Sequence, residues 1–179
     1  MAGAAATGMS VAQDIIATWR RPRQVMRRLL NMGQREDRAL MFLMLGCGLI
    51  FVAQWPVLSR QAFEDPSVPL QARIGGALMV WLFWAPLICY ALAGVSRVIG
   101  MAFRGRGTWY STRLALFWTI LATAPAWLFA GLVNGFLEPG PAHVVVGVGL
   151  VLAFLSIWGI CLREAEIAPE ADAGAESTG

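Results

Sequence analysis

Four long apolar runs dominate the chain, at residues 40–57, 74–95, 114–137 and 144–162, and none of them contains Asp, Glu, Lys or Arg. Each is long enough to cross a hydrocarbon layer of ~30 Å as a helix, which takes about 20 apolar residues. Lipid offers the backbone no hydrogen-bonding partners, so an open chain crosses it only as a helix. The runs therefore predict an all-α membrane protein, a four-helix transmembrane bundle over residues 39–162.

Ahead of the first run the pattern is amphipathic. Ser10 and Gln13 stand at capping-box spacing, and Ile15, Ile16 and Trp19 follow on one side. Pro22 suits the first turn of a new helix. There Val25, Met26, Leu29 and Leu30 recur at helical spacing, opposite Arg23, Gln24, Arg27, Arg28 and Asn31. Residues 10–38 thus predict a basic N-terminal amphipathic interfacial helix. Such a helix either lies on an anionic leaflet or caps the cytoplasmic end of the bundle, and the two readings are compatible. Residues 1–9 lack the basic and apolar parts of a secretory signal and are expected to be disordered. The same is expected of an acidic tail, residues 163–179, with Glu164, Glu166, Glu170, Asp172 and Glu176.

Charge sets the orientation. All 14 cations are Arg. Arg20, Arg21, Arg23, Arg27, Arg28, Arg35 and Arg38 precede the first run, Arg97, Arg104, Arg106 and Arg113 lie between the second and third, and Arg163 follows the fourth. With four crossings these share one side, leaving Arg60 and Arg73 on the other. Short cytoplasmic loops carry the excess of Arg, so both termini are expected in the cytoplasm. Arg20, Arg21, Arg23, Arg27, Arg28, Arg104 and Arg106 are the candidate contacts to lipid headgroups. The rival reading for Arg23, Arg27 and Arg28 is pairing with the acidic tail at residues 164–176, and lipid is preferred because a disordered tail would have to be ordered. Arg35, Glu36, Asp37 and Arg38 are expected to pair with one another at the water surface. The exclusive use of Arg, with Ala-rich tails, suggests a GC-rich bacterial genome and hence a bacterial inner membrane.

Composition narrows the function classes. With 58% hydrophobic and 14% charged residues, against about 25% charged in soluble domains, the chain has no room for a separate soluble domain. In the third run Ala122, Ala126, Ala130 and Asn134 fall four apart, and Gly131 and Gly135 form a GxxxG. Small residues on one stripe let a second helix backbone come close. Pro86 and Pro125 are expected to bend the second and third spans. Gln54 and Asn134 are expected to make ordinary interhelical hydrogen bonds. The connection at residues 59–73, with Pro66 and Pro69, is expected to be irregular with room for one helical turn, and GMAFRGRGTWYSTR at 100–113 to be a membrane-surface loop. Its GRGT lacks the Lys and spacing of a nucleotide loop. Residues 138–141, EPGP, predict a tight turn.

Chemistry in the spans is sparse. Cys47, Cys89 and Cys161 are spread over three runs, and His143 stands alone, so neither a disulfide framework nor a metal site is expected. No intramembrane carboxylate, paired Asp or repeated Arg of the kind used by proton-coupled carriers or voltage sensors is present. No catalytic, cofactor-binding or metal-binding residue is expected.

The lead-in ATWRRPRQVMRRLL at residues 17–30, followed by a compact set of spans with internal prolines and small residues, resembles the bacterial branch of the Yip family, the membrane proteins named for interacting with Ypt GTPases. The resemblance covers roughly residues 12–162; Yip proteins commonly have five membrane segments where four are counted here. Their eukaryotic relatives look like membrane-shaping and trafficking factors working as hetero-oligomers, and the family supplies no catalytic residues. The expected function is a non-enzymatic scaffold, accessory subunit or lipid-organising factor, with a small transporter or channel component as the alternative. Expected partners are anionic lipids at the cytoplasmic face and other membrane proteins or a second copy, without nucleic acid. A subunit of a large energy-transducing complex is a third reading.

Overall fold

The computed structural model describes residues 10–102, 105–137 and 140–167, so residues 1–9 and 168–179, Arg104 and part of the expected EPGP turn lie outside the described residues. Every described element is helical: α1 (Val11–Arg20), α2 (Pro22–Asn31), α3 (Glu36–Ala53), α4 (Trp55–Glu64), α5 (Leu70–Met79), a π turn (Val80–Trp84), α6 (Ala85–Ala102), α7 (Trp109–Phe136) and α8 (Pro141–Ile167). They form four helical stretches long and apolar enough to cross a membrane: Glu36–Glu64, Leu70–Ala102, Trp109–Phe136 and Pro141–Ile167.

Local chemistry explains the boundaries. Ser10 accepts from the Gln13 N–H while the Gln13 side chain accepts from the Ser10 N–H, closing both ends of a capping box. Thr108 and Ser111 repeat that device at the start of α7. Pro22 opens α2 at a position where the missing N–H is no loss. Gly33, at φ 81°, provides the left-handed turn that ends it. Between α3 and α4 the helix is interrupted at Gln54, because Pro56 has no N–H for the Val52 carbonyl. The π turn ahead of Pro86 is the same problem met differently: a widened turn accommodates the ring without ending the stretch.

The expected irregular connection at 59–73 is shorter than the prolines suggested. Helix α4 runs on to Glu64, and α5 begins at Leu70, directly after Pro69. The remaining turn is tied by Arg73, which donates to the Val68 carbonyl at 3.2 Å and to the Asp65 carboxylate at 3.1 Å. Hydrogen bonds from Ser67, helped by Arg73, hold the Asp65 carboxyl below its ordinary value.

Helix α7 is the hub. Of its apolar window 61% is buried, against 33% for Glu36–Glu64, 11% for Pro141–Ile167 and 6% for Leu70–Ala102. It runs in the same direction as α3, and the register is read from successive contacts: Arg38 to Tyr110, Gly46 to Leu121, Ala53 to Gly131, Pro56 to Gly135. A Cβ at Gly131 would stand 1.9 Å from the Ala53 carbonyl oxygen, and one at Gly135 2.3 Å from Pro56. The GxxxG therefore seats the α3–α4 break, backbone against backbone, in a geometry that turns Cα–H toward a carbonyl. Of the Ala stripe, Ala122 and Ala130 are buried, while Ala126 and Asn134 are half-buried. Among the described residues neither Gln54 nor Asn134 makes a side-chain hydrogen bond, contrary to expectation; both are only half-buried, near the outer ends of their spans.

Helices α1 and α2 pack on the bundle. Val25, Met26 and Leu29 of α2 are buried in the same core as Leu43, Leu114, Trp118 and Cys161. From α1, Thr18 accepts from the Trp118 indole at 3.1 Å, and the Trp19 indole donates to the Ala122 carbonyl at 2.9 Å. That carbonyl is one position past Leu121, whose own i+4 donor is removed by Pro125, and α7 continues through the proline. An N-terminal tryptophan thus supports the helix where proline weakens it.

Candidate functional site at the arginine-rich end

The polar chemistry gathers where the apolar runs end. Because α8 continues past Leu162 to Ile167, Glu164 and Glu166 are held on a helix and not on a solvated tail as expected. Glu164, 4% exposed, turns toward α2 and accepts from Arg27. Asp14 of α1, 7% exposed, accepts from Arg28 of α2, bracing the elbow at Arg21–Pro22 from inside. A carboxylate is costly to bury unless paired, and both are paired.

Glu166 organises the loop that precedes α7. Its carboxylate takes Arg97 Nη1 at 3.1 and 3.3 Å and the Gly107 N–H at 3.1 Å, while its carbonyl accepts from the Arg106 N–H at 3.3 Å. A Cβ at Gly105 would lie 1.9 Å from Glu166 Oε2, and one at Gly107 2.8 Å from the Ala165 carbonyl. The glycines of GRG are there because the backbone wraps a carboxylate. The described part of this loop is folded onto the end of α8. Arg38 closes the other side, donating to the Leu29 and Gly33 carbonyls at 3.1 and 2.9 Å and to the Tyr110 hydroxyl at 3.2 Å. Glu36 pairs with Arg113. Residues 35–38 were expected to pair among themselves; instead Glu36 reaches α7 and Arg38 reaches both α7 and the α2 turn, because α3 begins at Glu36 alongside α7.

The seven candidate headgroup arginines separate into groups. Arg27 and Arg28 have internal carboxylate partners. Arg104 lies outside the described residues, and Arg106 is exposed. Arg20, Arg21 and Arg23 are exposed at the elbow, with no side-chain hydrogen bond or ion pair to the other described residues. Around them lie grooves of about 460 Å³, lined by Arg20, Arg21, Pro22, Arg23, Gln24 and Ile160, and of about 390 Å³, reaching Gln13, Ile16 and Ala17. Of these contacts, the pairing of Arg27 with Glu164 follows the rival reading of the acidic tail, whereas the roles of Asp14, Arg38, Arg97 and Glu166 were missed by sequence reasoning. The one available signal was position, since each of Arg38, Arg97, Glu164 and Glu166 stands within a turn of an apolar run.

The arrangement offers paired charges and backbone ties, which hold helix ends together, and an arginine elbow open to an anion. No known family model, curated protein or solved structure matches this chain, so the likeness to Yip proteins rests on the residues that carry it.

Proposed function

We propose that this chain is a non-enzymatic accessory or scaffold subunit of a bacterial inner membrane, with its arginine-rich end and both termini in the cytoplasm and α1–α2 lying at the membrane interface. The observation that carries this reading is the uneven burial of the spans. One helix, α7, is enclosed, while the windows of Leu70–Ala102 and Pro141–Ile167 are 6% and 11% buried. The outer spans present large apolar side chains, among them Phe83, Leu87 and Ile88 on one and Val148 and Leu152 on the other. Faces of this extent are covered by lipid tails or by the spans of partner subunits, and the arginine-rich end suits an anionic leaflet. The Yip likeness of residues 17–30 agrees with work done by hetero-oligomers in organising membranes.

A photocrosslinking residue placed at Ile88 or Leu152 in cells tests this. A discrete protein adduct is expected at one or both, and none from buried Leu43. Adducts to lipid alone at both positions would remove the scaffold reading. The transport alternative draws on Gln54 and Asn134, two half-buried amides without side-chain bonds in the described structure. It would be favoured by solute flux in proteoliposomes that depends on both amides.

A further inference from the structure

The height of the elbow in the membrane follows from the helices themselves. Ring contacts put Phe42, Tyr90, Phe117 and Trp118 at one level: Phe42 lies 5.0 Å from Trp118 and Tyr90 4.9 Å from Phe117, centroid to centroid. Antiparallel α7 and α8 are registered by the Ser111 hydroxyl donating to the Ala165 carbonyl, which brings Ile160 to the same height. From this level to the opposite ends there are about twenty residues on each path, Phe117 to Leu137, Ile160 to Pro141 and Tyr90 to Leu70. At 1.5 Å per residue that is ~30 Å, a full hydrocarbon thickness. A layer placed there leaves Glu36–Arg113, Arg97–Glu166 and the Glu164 carboxylate outside it, and its edge falls at Ile160.

Ile160 is the apolar wall of the groove whose other sides are Arg20, Arg21 and Arg23. Three guanidinium groups therefore stand at the hydrocarbon edge. Asp14 and Glu164, the two buried acids nearby, are already bound to Arg28 and Arg27. Charge at this depth is stable when paired, and arginine suits phosphate in particular through its fork of donors. Exposed Ile16 and Trp19 on the adjoining face of α1 extend the apolar surface beside the cations.

We propose that the α1–α2 elbow binds the phosphate headgroup of an anionic phospholipid of the surrounding leaflet, with Arg20, Arg21 and Arg23 around the phosphate and an acyl chain running along Ile160. This rests on the interfacial placement of α1–α2 but is independent of whether the outer spans meet a partner. A lipid bound here joins α1, α2 and α8 without contributing to their internal ion pairs.

The full chain, delipidated in mild detergent, is titrated with phosphatidylglycerol and with phosphatidylcholine, and bound lipid is counted by native mass spectrometry. One phosphatidylglycerol retained per chain in preference to phosphatidylcholine is expected. The R20Q/R21Q/R23Q variant should weaken that binding about a hundredfold, each arginine contributing about a fivefold factor near an anionic phosphate. R60Q, at the opposite end, should bind as the parent chain does. If the triple variant melts early, R21Q alone should still show about a fivefold loss. Equal retention of the two lipids, or undiminished binding by a folded triple variant, overturns the proposal. So does displacement of the lipid by millimolar inorganic phosphate, which makes free phosphate the occupant, or binding seen only after removal of residues 168–179, which makes that acidic segment the occupant. Protein adducts at Ile88 together with any of these results would leave the scaffold reading standing and this site refuted.

Discussion

Gly131→Ala is expected to lower the stability of the bundle by about 3 kcal/mol, the upper end of what one overpacked methyl costs. The added carbon would sit 1.9 Å from the carbonyl oxygen of Ala53. That oxygen is backbone, so no rotamer change relieves the clash. It also belongs to the last turn before Gln54, where Pro56 has already taken one hydrogen bond from the helix. The two stretches can only separate, and Gly135 against Pro56 and Gly46 against the Leu121 backbone would lose contact with them. Gly149→Ala is the matched control, because a Cβ there meets nothing within 4 Å and alanine is the better helix former. Thermal melting in detergent should place Gly131→Ala well below the parent chain and Gly149→Ala at or slightly above it. Coincident melting of all three would mean that the helices are not in backbone contact.

A loss of similar size, about 3 kcal/mol, is expected for Glu166→Ala, for an electrostatic reason. The carboxylate is the partner of Arg97, whose side chain is only 11% exposed, and of the Gly107 N–H. Removing it strands a guanidinium in a crowded end of the bundle and releases the glycine loop. An uncompensated buried charge costs more than the pair contributed, so deleting both charges should be milder than deleting one. The double variant Arg97→Leu/Glu166→Leu is therefore expected to recover most of the stability lost in Glu166→Ala, and a cycle of melting measurements gives the coupling directly. Additive effects of the two changes would show that the pair is not formed.

The membrane spans were legible because length without charge is a property of one segment read by itself. Their true ends were less so: α3 starts at Glu36 and α8 runs to Ile167, since helix continues wherever charged residues find partners, and hydropathy alone carries no mark of that. The pattern Val25, Met26, Leu29 announces one apolar face but is the same whether lipid or protein covers it; here protein does. The polar set at the arginine-rich end was the least legible part. Arg27 and Glu164 are 137 positions apart and Arg97 and Glu166 69, so no local spacing relates them. A terminal stretch rich in Glu reads as solvated until α8 is seen to carry two of its members inward.

The seat of α1 also imposes an order on biogenesis. Thr18 and Trp19 meet Trp118 and Ala122, partners 100 and 103 residues later in the chain, and Arg27 waits for Glu164. At about 5–20 residues per second of synthesis, α1 leaves the ribosome some 5–20 s before its docking helix exists. During that interval Met26 and Leu29 have only lipid or a holding factor to cover them. A nascent chain stalled before α8 should therefore leave a cysteine placed at Met26 open to a thiol reagent, whereas the finished chain protects it. Early protection would mean that α2 needs no seat on α8. Helices α1 and α2 are thus secured only when partners made a hundred residues or more after them have arrived.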